Sequence, residues 1–469
     1  MIIKSLLLFM MLSPPEIDFD QYYTGNTFRF DYFHSGIATE EHISLDVIRL
    51  EGDWPGSRTR LIDDSGLGKY FFEVFDLSSG QLIYSRGFAS IYGEWETTRE
   101  AMDGIWKSIH ESQRFPEPRN PVRIVLKKRD NDNAFHEIYS AEVDPGSRFI
   151  DRSPMKAGGE VWRVFNNGVP DQKVDILVLG DGYARAELDK YRRDTERLIS
   201  VLFDTEPFKS RKSDFNVWGI DVASDESGIS NPRKGIWKNS ALGLSFNAFD
   251  SDRYVLTFKN KDIREIAARA PYDVLIILAN SNKYGGGGIY NLYATATVDT
   301  EPSEYLIVHE FGHSFAALAD EYYTSSTSYE EYIPEGVEPW EVNVTALLDP
   351  KNLKWKDLVD GDTPIPTPWN QDAYDEIANA FQEQRRKLIE QGASEEDMNQ
   401  YFREVKKVTA PMLAGEKYAD RVGAFEGAAY QAKGLFRPEI DCIMFSRNVD
   451  YYCRVCAKGI ETVIDLYTR

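Results

Sequence analysis

Cysteine is scarce in this chain. Only three occur among 469 residues, and Cys442, Cys453 and Cys456 all lie near the C-terminus. A disulfide-stapled scaffold is therefore excluded. One disulfide with one thiol left over is the expected state of the three. A structural zinc site would want four ligands, and no histidine lies near these cysteines to complete one. Cys453-x-x-Cys456 alone does not define a redox centre, because nothing around it reads as a thioredoxin-type unit. Basic residues are also in deficit: 54 Lys and Arg face 76 Asp and Glu, a net charge of −22. Nucleic acid as a partner is excluded on that balance, since phosphate binding needs clustered cations. Docking on anionic membrane is excluded for the same reason. No apolar run approaches the ~18 residues of a membrane span, so membrane insertion is excluded. Internal repeats and low-complexity linkers are missing as well.

What is present describes a globular chain of two or three domains, with 42% hydrophobic and 13% aromatic residues. Residues 1–18 have the outline of a signal segment: Lys4, an apolar run over 6–12, then Ser13 and two prolines. Export is the expectation, to the periplasm, the cell surface or the extracellular space of a bacterium. Residues 19–145 read as an all-β sandwich. Aromatic and β-branched runs at 28–33, 42–50, 70–77, 82–85, 122–127 and 135–143 are separated by Gly- and Asp-rich turns. From 146 to 469 strands alternate with helical patterns, as in an α/β (α+β) domain. Strands are expected at 174–179, 216–222, 273–278 and 289–298, and a long helix at 184–203. The charged stretch 372–407 predicts a helical hairpin inserted in this domain, broken at Gly392.

The chemistry concentrates at 301–323, where His309-Glu310-Phe311-Gly312-His313 matches H-E-x-x-H. Thr300 as a cap, Pro302, and the early Glu301 and Glu304 predict a helix start. Tyr305, Val308, Gly312, Phe315 and Ala319 recur at helical spacing. Residues four apart stack on one face, so His309 and His313 can reach one tetrahedral ion. Glu310 is placed to take a proton from a metal-activated water. A catalytic zinc site takes three protein ligands and keeps one position open. Only six histidines exist; none follows His313, and His34, His42, His110 and His136 lie in the N-terminal region. The third ligand is therefore expected to be a carboxylate. Asp320 would lie about 10 Å further along an ideal helix, so it can bind only if the helix ends near Ala317 and the chain folds back. Glu321 points elsewhere and is read as bracing a histidine. Glu330 and Glu331 are the competing ligands.

Upstream, the glycine run 285–288 would let another backbone approach closely. Main-chain pairing of that kind suits a polypeptide substrate. Downstream, Met444 is a candidate for the methionine that sits in a tight turn beneath the metal in metzincins, with an ordinary core position as the alternative. Tyr418, Tyr430, Tyr451 and Tyr452 are candidates to donate to a developing oxyanion. The acidic stretch 221–226 reads as a solvated loop in preference to a calcium site.

These features resemble the IgA peptidase family of secreted bacterial zinc metallopeptidases. The metal motif continues as Ala319-Asp320-Glu321-Tyr322. Residues 426–444 (EGAAYQAKGLFRPEIDCIM) with YYCRVC resemble the family's C-terminal signature. WPGSRTRLIDDSGLGKYFFEVFDLSSG and IYGEWETT resemble its N-terminal domain. The resemblance implies a metzincin-like catalytic domain holding one catalytic zinc ion on His309, His313 and Asp320, with Glu310 as general base. It implies hydrolysis of peptide bonds in extracellular proteins, immunoglobulin-like host proteins among them. One departure stands out. Metzincin helices turn at a glycine, whereas here Ala316 and Ala317 occupy the bend, and alanine suits it only if no positive φ is required. The contrasting expectation is a binding or adhesion protein carrying a degenerate metal domain, against which the intact His309, Glu310 and His313 weigh.

Overall fold

The computed structural model describes residues 17–155, 158–324 and 333–468. Most of the signal-like segment, and both Glu330 and Glu331, lie outside the described residues.

Two antiparallel sheets form the N-terminal region. One has the order β2 (Glu41–Asp53), β1 (Tyr23–Gly36), β5 (Lys107–Pro118). The other has the order β4 (Leu82–Phe88), β3 (Tyr70–Asp76), β6 (Val122–Arg129), β7 (Phe135–Val143). Alternation puts Phe28, Phe30 and Tyr32 of β1 into the space between the sheets, against Phe72, Phe115, Ile124 and Leu126. Phe30 stacks on Tyr32 and on Phe72. The intervening β1 residues are polar yet also buried. Arg29 pairs with Asp31 and Glu51, both at 2.7 Å.

That polar face is covered by the second domain. Arg114 binds Glu51 and donates to the Tyr272 carbonyl at 2.7 Å. Its guanidinium lies 3.7 Å from the Tyr272 ring centroid.

The second domain is built on a six-stranded sheet. Its order is β12 (Gly286–Ile289), β13 (Tyr293–Thr297), β11 (Val274–Ala279), β9 (Val174–Asp181), β10 (Phe215–Ile220), β8 (Val161–Phe165). The four inner strands are parallel and both edge strands antiparallel. The near-continuous apolar runs of β9 and β11 follow from burial on both faces. Val174, Ile176 and Val178 pack under the helices Leu188–Asp204 and Ser303–Ala316. Leu177, Leu179 and Ile277 face the other way and share a core with Trp95 and Ile109 of the N-terminal region. The sandwich is thus part of the second domain's packing.

The glycine run is itself the edge strand β12, and a hairpin through Asn291, at φ 56°, returns the chain into β13. The N-terminal region braces this hairpin: Ala89 N–H donates to the Tyr290 carbonyl, and Asn291 donates to the Gly87 carbonyl, both at 3.0 Å. Helices Gln371–Glu390 and Glu395–Ala414 form a hairpin, with Gly392 at φ 70° in the turn between them. A two-stranded sheet follows, β14 (Phe425–Ala428) and β15 (Gln431–Arg437), and then the C-terminal helix Arg454–Thr468. Among the described residues no helix is long and apolar enough to cross a membrane.

Candidate metal centre

His309, Glu310 and His313 sit on helix Ser303–Ala316. It begins two residues later than Thr300 as a cap would set it. Pro302 is the N-cap, and the Thr300 carbonyl, not its hydroxyl, accepts from Ser303 N–H. The helix ends where Asp320 requires. Ala317 adopts φ 55°, ψ 33°, the left-handed conformation. Ala317 N–H then reaches the His313 carbonyl and Leu318 N–H the Gly312 carbonyl, a paired C-cap. A positive φ is therefore needed after all, and alanine bears it at about 1–2 kcal/mol. The cap turns the chain back so that Asp320 returns to the helix face.

The result is a nearly equilateral triangle of donors. His309 Nε2 and His313 Nε2 are 3.2 Å apart, and Asp320 Oδ1 lies 3.2 and 3.3 Å from them. Tetrahedral ligands at about 2.0–2.1 Å from one ion are separated by about 3.3–3.4 Å. Asp320 Oδ1 is buried and faces only the two imidazole Nε2 atoms, with no other hydrogen-bond partner, the arrangement expected of an atom reserved for a cation. Both imidazoles are oriented from behind. The Ile443 carbonyl accepts from His309 Nδ1 at 3.0 Å and the Leu318 carbonyl from His313 Nδ1 at 2.5 Å, which leaves each Nε2 lone pair facing the centre. Tyr430 donates to Asp320 Oδ2, so the two oxygens of that carboxylate are divided between a fixed donor and the centre.

Burial opposes charge on His313, but Asp320 beside it outweighs this and pushes its pKa up to about 9. Burial would raise Asp320, yet His313 and His309 hold it well below the usual carboxylate range. Burial raises the pKa of Glu310 and so favours its protonated form. A metal ion must displace the His313 proton. Affinity for a divalent ion is therefore expected to rise about tenfold per pH unit well below pH 9, level off near it, and fall as pH drops. Competition with a chromophoric chelator at about pH 6 and 8 measures this. An affinity flat over that interval would contradict it.

Other predicted residues sort as follows. Met444 is buried in a turn closed by Phe445 and Ser446 N–H on the Cys442 carbonyl. Its sulfur lies against Gly312, where an added Cβ would meet it at 3.2 Å. Tyr452 is beneath the helix, bound to the Val308 carbonyl, and Tyr451 is exposed. Of the four tyrosines only Tyr430 lines the cleft, where Tyr305 and Tyr322 join it. Glu321 braces no histidine. It points into a buried group with Cys442, Cys453 and Cys456. The expected disulfide is absent, and all three thiols are free and buried. In the 221–226 loop, Asp221 pairs with Arg192 and Glu226 with Lys238.

The triangle opens into a cleft of about 600 Å³. One wall is β12, where Gly286 and Gly288 lie against Glu310 and His313. The opposite wall is the helical hairpin, through Tyr374, Phe381, Arg385 and Phe402. The outer backbone edge of Gly286 is already taken by Arg253 O and Val255 N–H. An added strand would therefore pair further along, from Gly288.

Two imidazoles and a carboxylate converging on one point, a second carboxylate beside them, and an edge strand along a long cleft define a metal-dependent hydrolase of the peptidase type. Two family models extend this. One described as IgA Peptidase M64 matches residues 163–464, and one described as Peptidase M64 N-terminus matches residues 18–140. The chain belongs to the IgA peptidase M64 family and is a metallopeptidase. No curated protein matches the chain.

Proposed function

We propose that this chain is an exported zinc endopeptidase that hydrolyses peptide bonds of extracellular proteins. The observation that carries the reading is the donor triangle, in which Asp320 Oδ1 faces only the two imidazole Nε2 atoms. His309, His313 and Asp320 would hold the ion. Zinc bound there would supply Lewis acidity to the scissile carbonyl and lower the pKa of a water. Glu310 takes the water's proton on its carboxylate and delivers it to the leaving amine. β12 holds the substrate main chain extended from Gly288, and the hairpin helices cover it from the other side. Export rests on Lys4 and the apolar run that follows it.

The cleft also supports a substrate preference. Arg253, Arg385 and Arg447 surround Tyr284 and Phe402, with Arg447 4.2 and 4.0 Å from the two ring centroids. No ion pair joins any of the three to a carboxylate among the described residues, and Arg385 Nε is buried without a partner. Burial and the two neighbouring guanidinium groups lower Arg253 to about 10, so it stays charged at neutral pH. In a chain of charge −22, three cleft cations with no direct carboxylate partner among the described residues favour an acidic substrate side chain near the scissile bond. Tyr305 links this cluster to the centre: its hydroxyl is 3.2 Å from His309 Nδ1, and Arg447 lies 5.4 Å from its ring.

Digestion of a mixed peptide library, read by mass spectrometry, tests both statements. Cleavage with Asp or Glu enriched beside the cut is expected, and Arg447→Gln with Arg385→Gln should remove the enrichment. Removing each charge pair is expected to cost roughly 10-fold or more in kcat/KM for acidic substrates. No cleavage of any peptide would transfer the weight to the binding-protein reading.

A further inference from the structure

The four side chains behind the catalytic triangle carry an inference that the proposed chemistry does not use. Glu321, Cys442, Cys453 and Cys456 present one ligand atom each, all within 4.8 Å of one another, and all four residues are buried. Cys442 Sγ and Cys456 Sγ are 3.9 Å apart. Glu321 Oε1 lies 3.2 Å from Cys456 Sγ and 3.9 Å from Cys453 Sγ. Thiolates bound at about 2.3 Å to a tetrahedral ion are separated by about 3.8 Å. We infer that these residues form a second, structural metal site of the Cys3Glu type, suited to zinc.

Three independent features point the same way. Glu321 is fully buried, and its Oε2 has no hydrogen-bond partner. A carboxylate placed among thiols without a cation or donor for that oxygen would be costly, and an ion explains its position. Backbone N–H groups are aimed at the sulfurs: Cys453 N–H and Met444 N–H at Cys442 Sγ, at 3.2 and 3.5 Å, and Cys456 N–H at Cys453 Sγ, at 3.4 Å. Such bonds favour thiolates over thiols. The spacing is also that of a metal knuckle, since Cys453 and Cys456 flank the first turn of helix Arg454–Thr468. A disulfide would use two of these groups and strand the third thiol and the carboxylate in the core.

Asn343 fixes Glu321. Its amide donates to Glu321 Oε1 at 3.0 Å and pairs with both backbone groups of Ala319. The ion would tie three separate segments together. Glu321 follows Asp320, and its N–H donates to the Met444 carbonyl at 2.9 Å. Cys442 precedes Ile443, whose carbonyl orients His309. The second ion would hold the segment that carries Asp320 and Glu321, the Met444 turn and the C-terminal helix together. This inference does not depend on the catalytic reading.

The test is metal content of the purified full-length chain, with zinc and with cobalt(II) as probe. Wild type is expected to hold two zinc ions per chain. His309→Ala/His313→Ala should keep one, and its cobalt form should show near-ultraviolet thiolate-to-cobalt charge transfer. Cys453→Ser/Cys456→Ser should lose that band. If the cysteine variant does not fold, wild type still decides the matter. All three thiols should be unreactive in the native chain and titrate as three after chelation and denaturation. A single titratable thiol would show a disulfide and overturn the proposal. So would a His309→Ala/His313→Ala chain with no bound metal and no charge-transfer band.

Discussion

Replacing Glu310 by glutamine is expected to leave the metal in place and to lower kcat by about 10²- to 10⁴-fold, the usual worth of a positioned general base. Glu310 is next to His309 in sequence but is not one of the three converging donors. Its side chain packs against β12, where an added Cβ on Gly286 would meet Glu310 Cγ at 3.0 Å. The amide of glutamine fills the same space and cannot accept the proton. Burial raises the acid's pKa, which brings the proton affinity of the base closer to what the leaving amine requires. KM should change little, since Glu310 contributes to the transition state more than to ground-state binding. Full activity in the variant would remove Glu310 from the mechanism.

Replacing Asp320 by alanine is expected to have the larger effect on the metal itself. Loss of a residue that merely supports a ligand costs about 10- to 100-fold in metal affinity, and loss of a ligand should exceed that. Asp320 contributes one apex of the triangle and the only negative charge in it. Its removal also strands the Tyr430 hydroxyl. The measurement is zinc affinity by competition, accompanied by circular dichroism to show that the fold is kept. An Asp320→Ala chain binding catalytic zinc as tightly as wild type would place the third ligand elsewhere. Tyr430→Phe is the informative companion: it keeps the ligand and removes only the hydrogen bond that holds Asp320 Oδ2.

The contrast between these two residues also shows what could be read from the chain alone. His309, Glu310 and His313 were legible because a helix places positions four apart together, and helical periodicity is local. Asp320 was legible only conditionally. Its role depends on a left-handed Ala317, and a positive φ at alanine has no sequence signal. The buried strands β9 and β11 declared themselves as apolar runs. β5 did not: KSIHESQRFPEP has few apolar residues, and its polar face is buried only because the second domain covers it. The glycine run carries no strand pattern of its own yet forms most of the edge strand β12, since pairing to β13 is a property of the partner. Glu321 was misplaced for the same kind of reason. Helix geometry turned it away from His309 and His313 but could not say what it meets, because Cys442, Cys453 and Cys456 are more than a hundred residues further on. The arginine cluster is likewise assembled from three separate segments, and no spacing rule joins them.

The central claim is that the triangle holds the ion on which peptide cleavage depends, with Glu310 as its base. The most direct test measures zinc content and cleavage of one peptide on the same samples of wild type and Glu310→Gln, before and after chelation. The account predicts that wild-type cleavage disappears on chelation and returns with added zinc, while Glu310→Gln carries the wild-type complement of zinc and does not cleave. Cleavage that survives complete removal of the metal, or a Glu310→Gln chain cleaving at the wild-type rate, would contradict it.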